Sequence, residues 1–129
     1  MKFWYTIVYV ADVNASLAFF GKAFGLKTRF SHESGYGELD TGETTLAFAT
    51  HDLGRNNLPA GYVAGDTSPK PLGIEIALVT DSVAEAHSRA VAAGAITIKE
   101  PMLKPWGQTV SYLRCPDGTL VELCSPIAA

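Results

Sequence analysis

Two stretches of the chain carry the same order of apolar and polar residues. Residues 5–30 and 74–101 each begin with a run rich in β-branched and aromatic residues, continue through an acidic turn into apolar residues at helical spacing, and pass a glycine into a second β-rich run. Period-two alternation predicts a strand, and apolar residues three or four apart predict a helix. The copies are offset by about 70 residues, and a repeat of this kind predicts two like modules packed together.

The first copy opens with a predicted strand over residues 3–10. Asp12 or Asn14 is expected to cap the following helix, and Gly25 to end it in a left-handed conformation. The apolar stripe of this helix consists of Leu17, Phe20 and Phe24. Further strands are predicted over Leu26–Ser31, Tyr36–Asp40 and Thr44–Thr50.

The second copy follows the same plan. A strand starting near Ile74 leads into a predicted helix over Val83–Ala93, where Ser82 and Glu85 have capping-box spacing. Gly94 ends this helix. The remaining strands are predicted over Ala95–Lys99, Gln108–Arg114 and Thr119–Cys124, the last two forming a hairpin. Each module therefore reads βαβββ.

The composition changes between the modules. From His51 to Leu72 the chain is rich in Gly, Pro, Asn and Asp, with little periodicity. We interpret residues 53–72 as an irregular linker between module one (about 1–52) and module two (about 73–129) within a single domain, 1–129. Connections of this length are usually functional or mobile, so an edge over the site is expected.

Composition and charge exclude several classes of protein. A hydrophobic content of 47% and a charged content of 18% are typical of a globular domain. The net charge of −3 and the scattered Lys and Arg residues argue against nucleic-acid binding, and no apolar run reaches the ~20 residues that span a bilayer. Cys115 and Cys124 flank a predicted turn and are not expected to pair, which favours the reducing cytoplasm.

The motifs taken together resemble a known family. VADVNASLAFFGKAFGL in module one, and VTDSVAEAHSRAVAAGA with PDGTLVEL in module two, are similar in order and spacing to the vicinal oxygen chelate superfamily. That superfamily includes glyoxalase I, extradiol dioxygenases, fosfomycin-resistance enzymes and bleomycin-resistance binding proteins. The resemblance implies an α+β fold in which two βαβββ modules form a curved mixed sheet around a cavity, and it implies a homodimer.

The resemblance also allows the metal-ligand positions to be examined. Metal-using members place ligands on the first and fourth strands of each module, which match Tyr5 and Ala47 in module one and Glu75 and Glu122 in module two. Only Glu122 matches a usual ligand, because Glu75 is an altered one and Ala47 has no donor atom. The expected site is therefore metal-independent and has no cofactor. If a divalent metal ion binds, Glu75 and Glu122 are its candidate ligands.

The segment LKPWGQTVSYLRCPDG is similar to mitomycin- and bleomycin-resistance binding proteins, where an aromatic residue helps to enclose a planar ligand. The resemblance thus implies a protein that binds a planar or cationic small molecule, with antibiotic sequestration as a role. Trp106 and Tyr9 would stack on the ligand, Tyr5 would form a hydrogen bond, and the glutamates would hold polar or cationic groups. The predicted ligand-binding residues are Tyr5, Ile7, Tyr9, Ala47, Glu75, Trp106 and Glu122.

Alternatives remain open at the sequence level. A divergent metal-dependent enzyme, such as a lactoylglutathione lyase-like protein, an isomerase or a dioxygenase using Glu122 and Glu75, is the competing hypothesis. No catalytic residue is assigned. His87 is expected on the polar side of its helix and His51 at the surface. Strand alternation places five residues on the helix-packed side of module two. They are Ile74, Ile76, Leu78, Val121 and Leu123.

Overall fold

Two βαβββ modules joined by a short helix make up the protein in the computed structural model, which describes residues 1–127. Module one comprises β1 (Tyr5–Val10), α1 (Val13–Phe24), β2 (Lys27–His32), β3 (Tyr36–Asp40) and β4 (Thr45–Thr50). The connection contains α2 (His51–Asn57). Module two comprises β5 (Glu75–Val79), α3 (Val83–Ala93), β6 (Ile96–Leu103), β7 (Thr109–Arg114) and β8 (Leu120–Cys124).

Each module forms its own four-stranded mixed sheet. Sheet one has the strand order β1-β4-β3-β2 and sheet two has the order β5-β8-β7-β6. In both sheets the first and last strands of the module run parallel, and the other neighbours run antiparallel. The predicted α+β fold with paired βαβββ modules is confirmed. Among the described residues, the sheet topology also leaves β1 and β5 each with one edge free of strand pairing.

The core joins the two modules through their helices. α1 and α3 pack against each other and against their own sheets, and one continuous cluster of buried side chains runs between them. Within it the rings of Phe20 and Phe48 lie 5.1 Å apart. Val8 and Val10 of β1 contact this cluster, whereas the alternate residues Tyr5 and Ile7 are 47% and 46% exposed. We call the face of each sheet that points away from α1 and α3 its outer face.

The structure confirms the predicted ends of α1 but not the predicted capping box of α3. The side chain of Asp12 accepts a hydrogen bond from the amide of Ala15 at 3.0 Å, and Gly25 ends α1 in the left-handed region, as predicted. The predicted capping box of α3 is wrong. Ser82 occupies the cap position without a side-chain hydrogen bond, and its own amide donates to Thr80 Oγ1 at 3.3 Å.

The structure corrects two further predictions of local structure. Residues 51–57, read as irregular, form α2, because Thr50 Oγ1 caps the amide of Leu53 at 3.3 Å and the helix packs on β1 and β4. Residues 58–72 remain as the linker. Ile74, expected on the helix-packed side, is 73% exposed because β5 begins only at the next residue.

The linker is held against module two. The guanidinium group of Arg114 donates to the carbonyl oxygens of Gly65 at 2.8 Å and Ser68 at 2.9 Å. Gly118, in the β7–β8 turn, lies so close to Gly65 that a Cβ atom there would overlap the Gly65 carbonyl group. The turn and the linker therefore pack together, backbone against backbone.

Two simpler expectations are also settled for the described part of the chain. Cys115 and Cys124 are both free and buried, as predicted from their spacing. None of the helices within residues 1–127 has the length and apolar character needed to cross a bilayer.

Candidate functional site

The outer face of sheet two carries the carboxylates that the sequence singled out. Glu122 lies in the middle of β8, directly beside Ala77 of β5 and Tyr112 of β7. The Tyr112 hydroxyl donates to Glu122 Oε1 at 2.8 Å. Glu75 projects from the same face two residues before Ala77, since side chains alternate along a strand. Both glutamates therefore belong to one surface, as predicted.

The ionisable groups of this face influence one another. The hydrogen bond to Glu122 raises the pKa of Tyr112 to about 12. Desolvation, and then the charge of Glu122, raises the pKa of Glu75. The same two causes, in the same order, raise the pKa of the Cys124 thiol. The electrostatic potential of this face is therefore negative, and the face favours a cation or a hydrogen-bond donor.

The outer face of sheet one carries a second tyrosine–glutamate pair. Glu38, on β3, is only 6% exposed and accepts a hydrogen bond from the Tyr36 hydroxyl at 2.7 Å. Arg29 lies 3.5 Å from Glu38 and 3.3 Å from Asp40, joining the three side chains in one network. Burial, followed by the hydrogen bond to Glu38, raises the pKa of Tyr36.

Sequence reasoning missed Glu38, and strand register explains why. In sheet two the central row reads Ala77, Glu122, Tyr112, and in sheet one the equivalent row reads Ile7, Ala47, Glu38. The carboxylate of module one therefore lies on the third strand of its sheet, β3, whereas that of module two lies on the second strand of its sheet, β8. The signal was the polar alternation Tyr36, Glu38, Asp40 along β3, which marks a polar face.

The predicted ligand-binding residues fall into separate groups in the single chain. Tyr5, Ile7, Tyr9 and Ala47 belong to sheet one, Glu75 and Glu122 to sheet two, and Trp106 to the β6–β7 turn. No hydrogen bond or ion pair in residues 1–127 links these groups across the two sheets. Ala47 is fully buried, because Ile7 and Glu38 flank it on either side. Their assignment to one ligand remains a prediction.

Trp106 is presented to solvent in a defined orientation. Its ring is 65% exposed, and its Nε1 donates to Gln108 Oε1 at 2.8 Å. Gln108 in turn donates to the carbonyl oxygen of Ser125 at 2.9 Å, which ties the turn to the end of β8. Lys104 Nζ lies over one face of the ring, 5.9 Å from its centroid, and leaves the other face available for stacking.

The predictions for two histidines were wrong. His87 is buried beneath α3, where its ring nitrogens lie 2.8 Å from Ser111 Oγ and 2.9 Å from Thr97 Oγ1. His87 follows Val83 by four residues and precedes Ala90 by three, so helical spacing places it on the buried face of α3. The His51 side chain is only 14% exposed, because it lies between Tyr62 and Asp66.

The donor atoms do not fit a metal centre of the glyoxalase type. In the part of the chain that the structure describes, no three His, Cys, Asp or Glu side chains come together as a ligand group. A catalytic metal generally needs about three protein ligands. Glu75 and Glu122 supply two carboxylates, and the corresponding positions of module one are Tyr5 and Ala47.

Comparison with known proteins agrees with the fold. A family model described as the Glyoxalase/Bleomycin resistance protein/Dioxygenase superfamily matches residues 2–123. An uncharacterized protein of Bacillus subtilis (strain 168), YwbC, is 31% identical over 121 residues, covering 92% of each chain.

Two solved structures show the same architecture. A glyoxalase-related enzyme from Fulvimarina pelagi aligns with a TM-score of 0.82 at 21% identity, covering 98% of this chain and 88% of that one. A glyoxalase/bleomycin resistance protein/dioxygenase family enzyme from Burkholderia phytofirmans PsJN aligns with a TM-score of 0.81 at 21% identity, covering 96% and 97% respectively. At this identity the likeness concerns the fold.

Proposed function

Because the chain belongs to the Glyoxalase/Bleomycin resistance protein/Dioxygenase superfamily, we propose that it binds a planar or cationic small molecule on the outer faces of its sheets, without a metal ion. The observation that carries the proposal is the pair Glu75 and Glu122 on one exposed face. Neither forms an ion pair with any residue among 1–127. A cationic ligand would relieve the repulsion between them.

A homodimer is part of this proposal. The outer faces carry large exposed apolar side chains, including Ile7 at 46% and Val79 at 66%. In the single chain the modules pack through α1 and α3, and no hydrogen bond or ion pair within residues 1–127 joins Glu75 or Glu122 to sheet one. A second copy that covers these surfaces would bring a tyrosine–glutamate face of one chain opposite a face of the other. The ligand would then lie between them.

The biological role we propose is sequestration of a planar cationic compound such as an antibiotic, within the cytoplasm. The exposed ring of Trp106 would stack on the planar part, and the glutamates would hold the positive charge. The two free, buried cysteines accord with a reducing compartment.

Titration of planar cations such as ethidium and proflavine tests the proposal through the fluorescence of the two tryptophans, Trp4 and Trp106. We expect saturable quenching that weakens with added salt. Glu122→Gln and Glu75→Gln should each weaken binding about tenfold, the equivalent of one charge interaction of about 1.4 kcal/mol. Glu85→Gln, on α3, is the matched control. Failure of every planar cation to bind, or equal binding to the Glu122→Gln variant, would overturn the proposal.

The competing function is a divergent metal-dependent enzyme, and Glu38 is the observation in its favour. A dimer could add the buried Glu38 of one copy to Glu75 and Glu122 of the other, and this would give three carboxylates. Metal analysis of protein purified without chelator separates the two functions. A stoichiometric metal that is lost in both Glu38→Gln and Glu122→Gln would favour the enzyme, and a metal-free protein that binds the dyes would favour the binder.

The dimer has its own test. We expect Val79→Asp to give monomers in sedimentation velocity experiments, because the aspartate would add a third acid to the outer face of sheet two. Val91→Asp, at a 41% exposed position on α3, should leave the dimer intact. A wild-type protein that stays monomeric at high concentration would contradict the dimer.

A further inference from the structure

A cleft lies between the free edges of β1 and β5, apart from the paired glutamates. Its volume is about 210 Å³ and its lining is mainly apolar. Within residues 1–127, β1 pairs only with β4 and β5 only with β8, so each strand presents an open edge to this space. Ile7 and Ile76 contribute from the strands, Leu72 from the linker, and Leu120 from β8.

Two tyrosine rings form one wall of the cleft. The rings of Tyr9 and Tyr62 lie 5.0 Å apart and are inclined at 36°. His51 Nδ1 lies 2.7 Å from the Tyr62 hydroxyl, and its Nε2 lies 3.1 Å from the Asp66 carboxylate. Gly54 is what allows this approach, since a Cβ atom there would lie 2.6 Å from the Tyr62 hydroxyl. The aromatic wall is therefore fixed before any ligand arrives, which reduces the entropy lost on binding.

The polar end of the cleft is acidic. Asp117 lines the cleft and also lines an adjoining recess of about 170 Å³ that contains Asp12 and Asp66. Its carboxylate accepts from Ser16 Oγ at 2.7 Å and from the Thr119 amide at 3.0 Å, which fixes its position. No lysine or arginine lines either space in the described chain. The electrostatic potential at this end is therefore negative.

Thr119 gives an independent indication of a ligand. It lines the same cleft and is 8% exposed, yet its hydroxyl has no hydrogen-bond partner within residues 1–127. Buried hydroxyl groups are nearly always satisfied, and an exception calls for an explanation. The hydroxyl oxygen is closed off in this conformation, and a rotation of the Thr119 side chain would turn it towards a donor group on a ligand beside Asp117.

We propose that this cleft is a second binding site, and that it takes a small apolar amine. The ammonium group lies towards Asp117 and Thr119, and a single ring or short aliphatic body packs against Tyr9 and Tyr62. Neither Glu75 nor Glu122 lines this cleft, so binding there does not depend on the function proposed for those two residues.

Benzylamine is the probe, and benzyl alcohol is its neutral counterpart of similar shape. Titration of ¹⁵N-labelled protein should give saturable shifts at the amides of Gly65, Gly118 and Thr119. Benzyl alcohol should bind roughly tenfold more weakly, the equivalent of losing one charge interaction. Equal binding of the two compounds, or the absence of saturable shifts at these amides, would overturn the proposal.

Substitutions locate the site. Ile74→Trp at the 73% exposed rim should obstruct the cleft and weaken benzylamine binding at least tenfold, whereas Ile96→Trp, at a 67% exposed position on β6, should not. Thr119→Val keeps the shape of the side chain, and should weaken benzylamine binding without lowering the melting temperature. Loss of binding in Glu122→Gln but not in Ile74→Trp would assign the amine to the sheet face and refute the second site.

Discussion

Replacing Gly118 by alanine perturbs the contact between the linker and the β7–β8 turn, and Gly42→Ala provides a matched control. The two glycines have nearly the same φ, +90° and +93°. A Cβ atom at Gly118 would overlap the Gly65 carbonyl group and lie 2.7 Å from the Asp66 amide nitrogen. At Gly42 a Cβ atom meets nothing within 4 Å. The pair therefore separates backbone strain from steric overlap.

The magnitude follows from the contacts that the linker would lose. A left-handed backbone costs a residue with a Cβ atom about 1–2 kcal/mol, and this applies to both variants. At Gly118 the linker must also withdraw, which breaks the hydrogen bonds from Arg114 to Gly65 and Ser68. A hydrogen bond to a charged group contributes about 1.5–3 kcal/mol. We expect a loss of about 1–2 kcal/mol for Gly42→Ala and about 4–8 kcal/mol for Gly118→Ala, where both hydrogen bonds are lost as well.

Urea unfolding followed by tryptophan fluorescence measures both losses. The second part of the effect should disappear in an Arg114→Ala background, because those hydrogen bonds are then already absent. Equal losses in the two glycine variants would refute the close packing of linker and turn. So would a Gly118→Ala loss that is unchanged in the Arg114→Ala background.

Three further predictions concern ionisable groups. Glu122→Gln should lower the pKa of Tyr112 from about 12 towards its ordinary value of 10, because the hydrogen bond to Glu122 is the main cause of the shift. NMR titration of the tyrosine ring carbons measures this pKa. An unchanged Tyr112 pKa in the variant would show that the cause is wrong. The raised pKa of Glu75 means that the folded protein keeps this proton to a higher pH than the unfolded chain does. The contribution of protonated Glu75 to stability is therefore present below its ordinary pKa of 4.5 and is lost as the pH rises through the raised pKa of the folded protein. The unfolding free energy of Glu75→Gln should not show this loss. Parallel pH profiles of the unfolding free energy for the wild type and the variant would contradict the prediction. His87→Ala should lower the free energy of unfolding by about 2–4 kcal/mol, because it leaves a cavity and removes a partner of the buried Ser111 hydroxyl. A loss below about 1 kcal/mol in thermal or urea unfolding would show that the buried imidazole does not stabilise the fold.

Local chemistry was readable from the sequence where one element determines the outcome. Asp12 caps α1 because its side chain reaches an amide three residues ahead, and Gly25 ends the helix because it tolerates a left-handed backbone. These are short-range effects. Both appear in the sequence as residue type and spacing.

Predictions failed where an outcome depended on neighbours distant in sequence. The spacing of His87 from Val83 and Ala90 marks the buried face of α3, but the hydroxyl groups that satisfy its ring nitrogens come from β7 and β6. The helix α2 gains its stability from packing on β1 and β4, although its own sequence is polar and contains Gly54. The role of Glu38 depends on the register between β3 and β4, which brings it beside Ala47.

The sequence by itself determined the repeated βαβββ plan, the strand faces and the glutamate pair on module two, because apolar periodicity dictates which side of each element is buried. Only the tertiary structure decided how those faces lie in space. Packing of α1 on α3 builds the shared core, and it leaves the predicted site residues on two separate sheets and in the β6–β7 turn. It also places β1 beside β5, with the linker across the gap, and so forms a cleft. Neither result could be read from periodicity, because each depends on how two separately patterned modules dock.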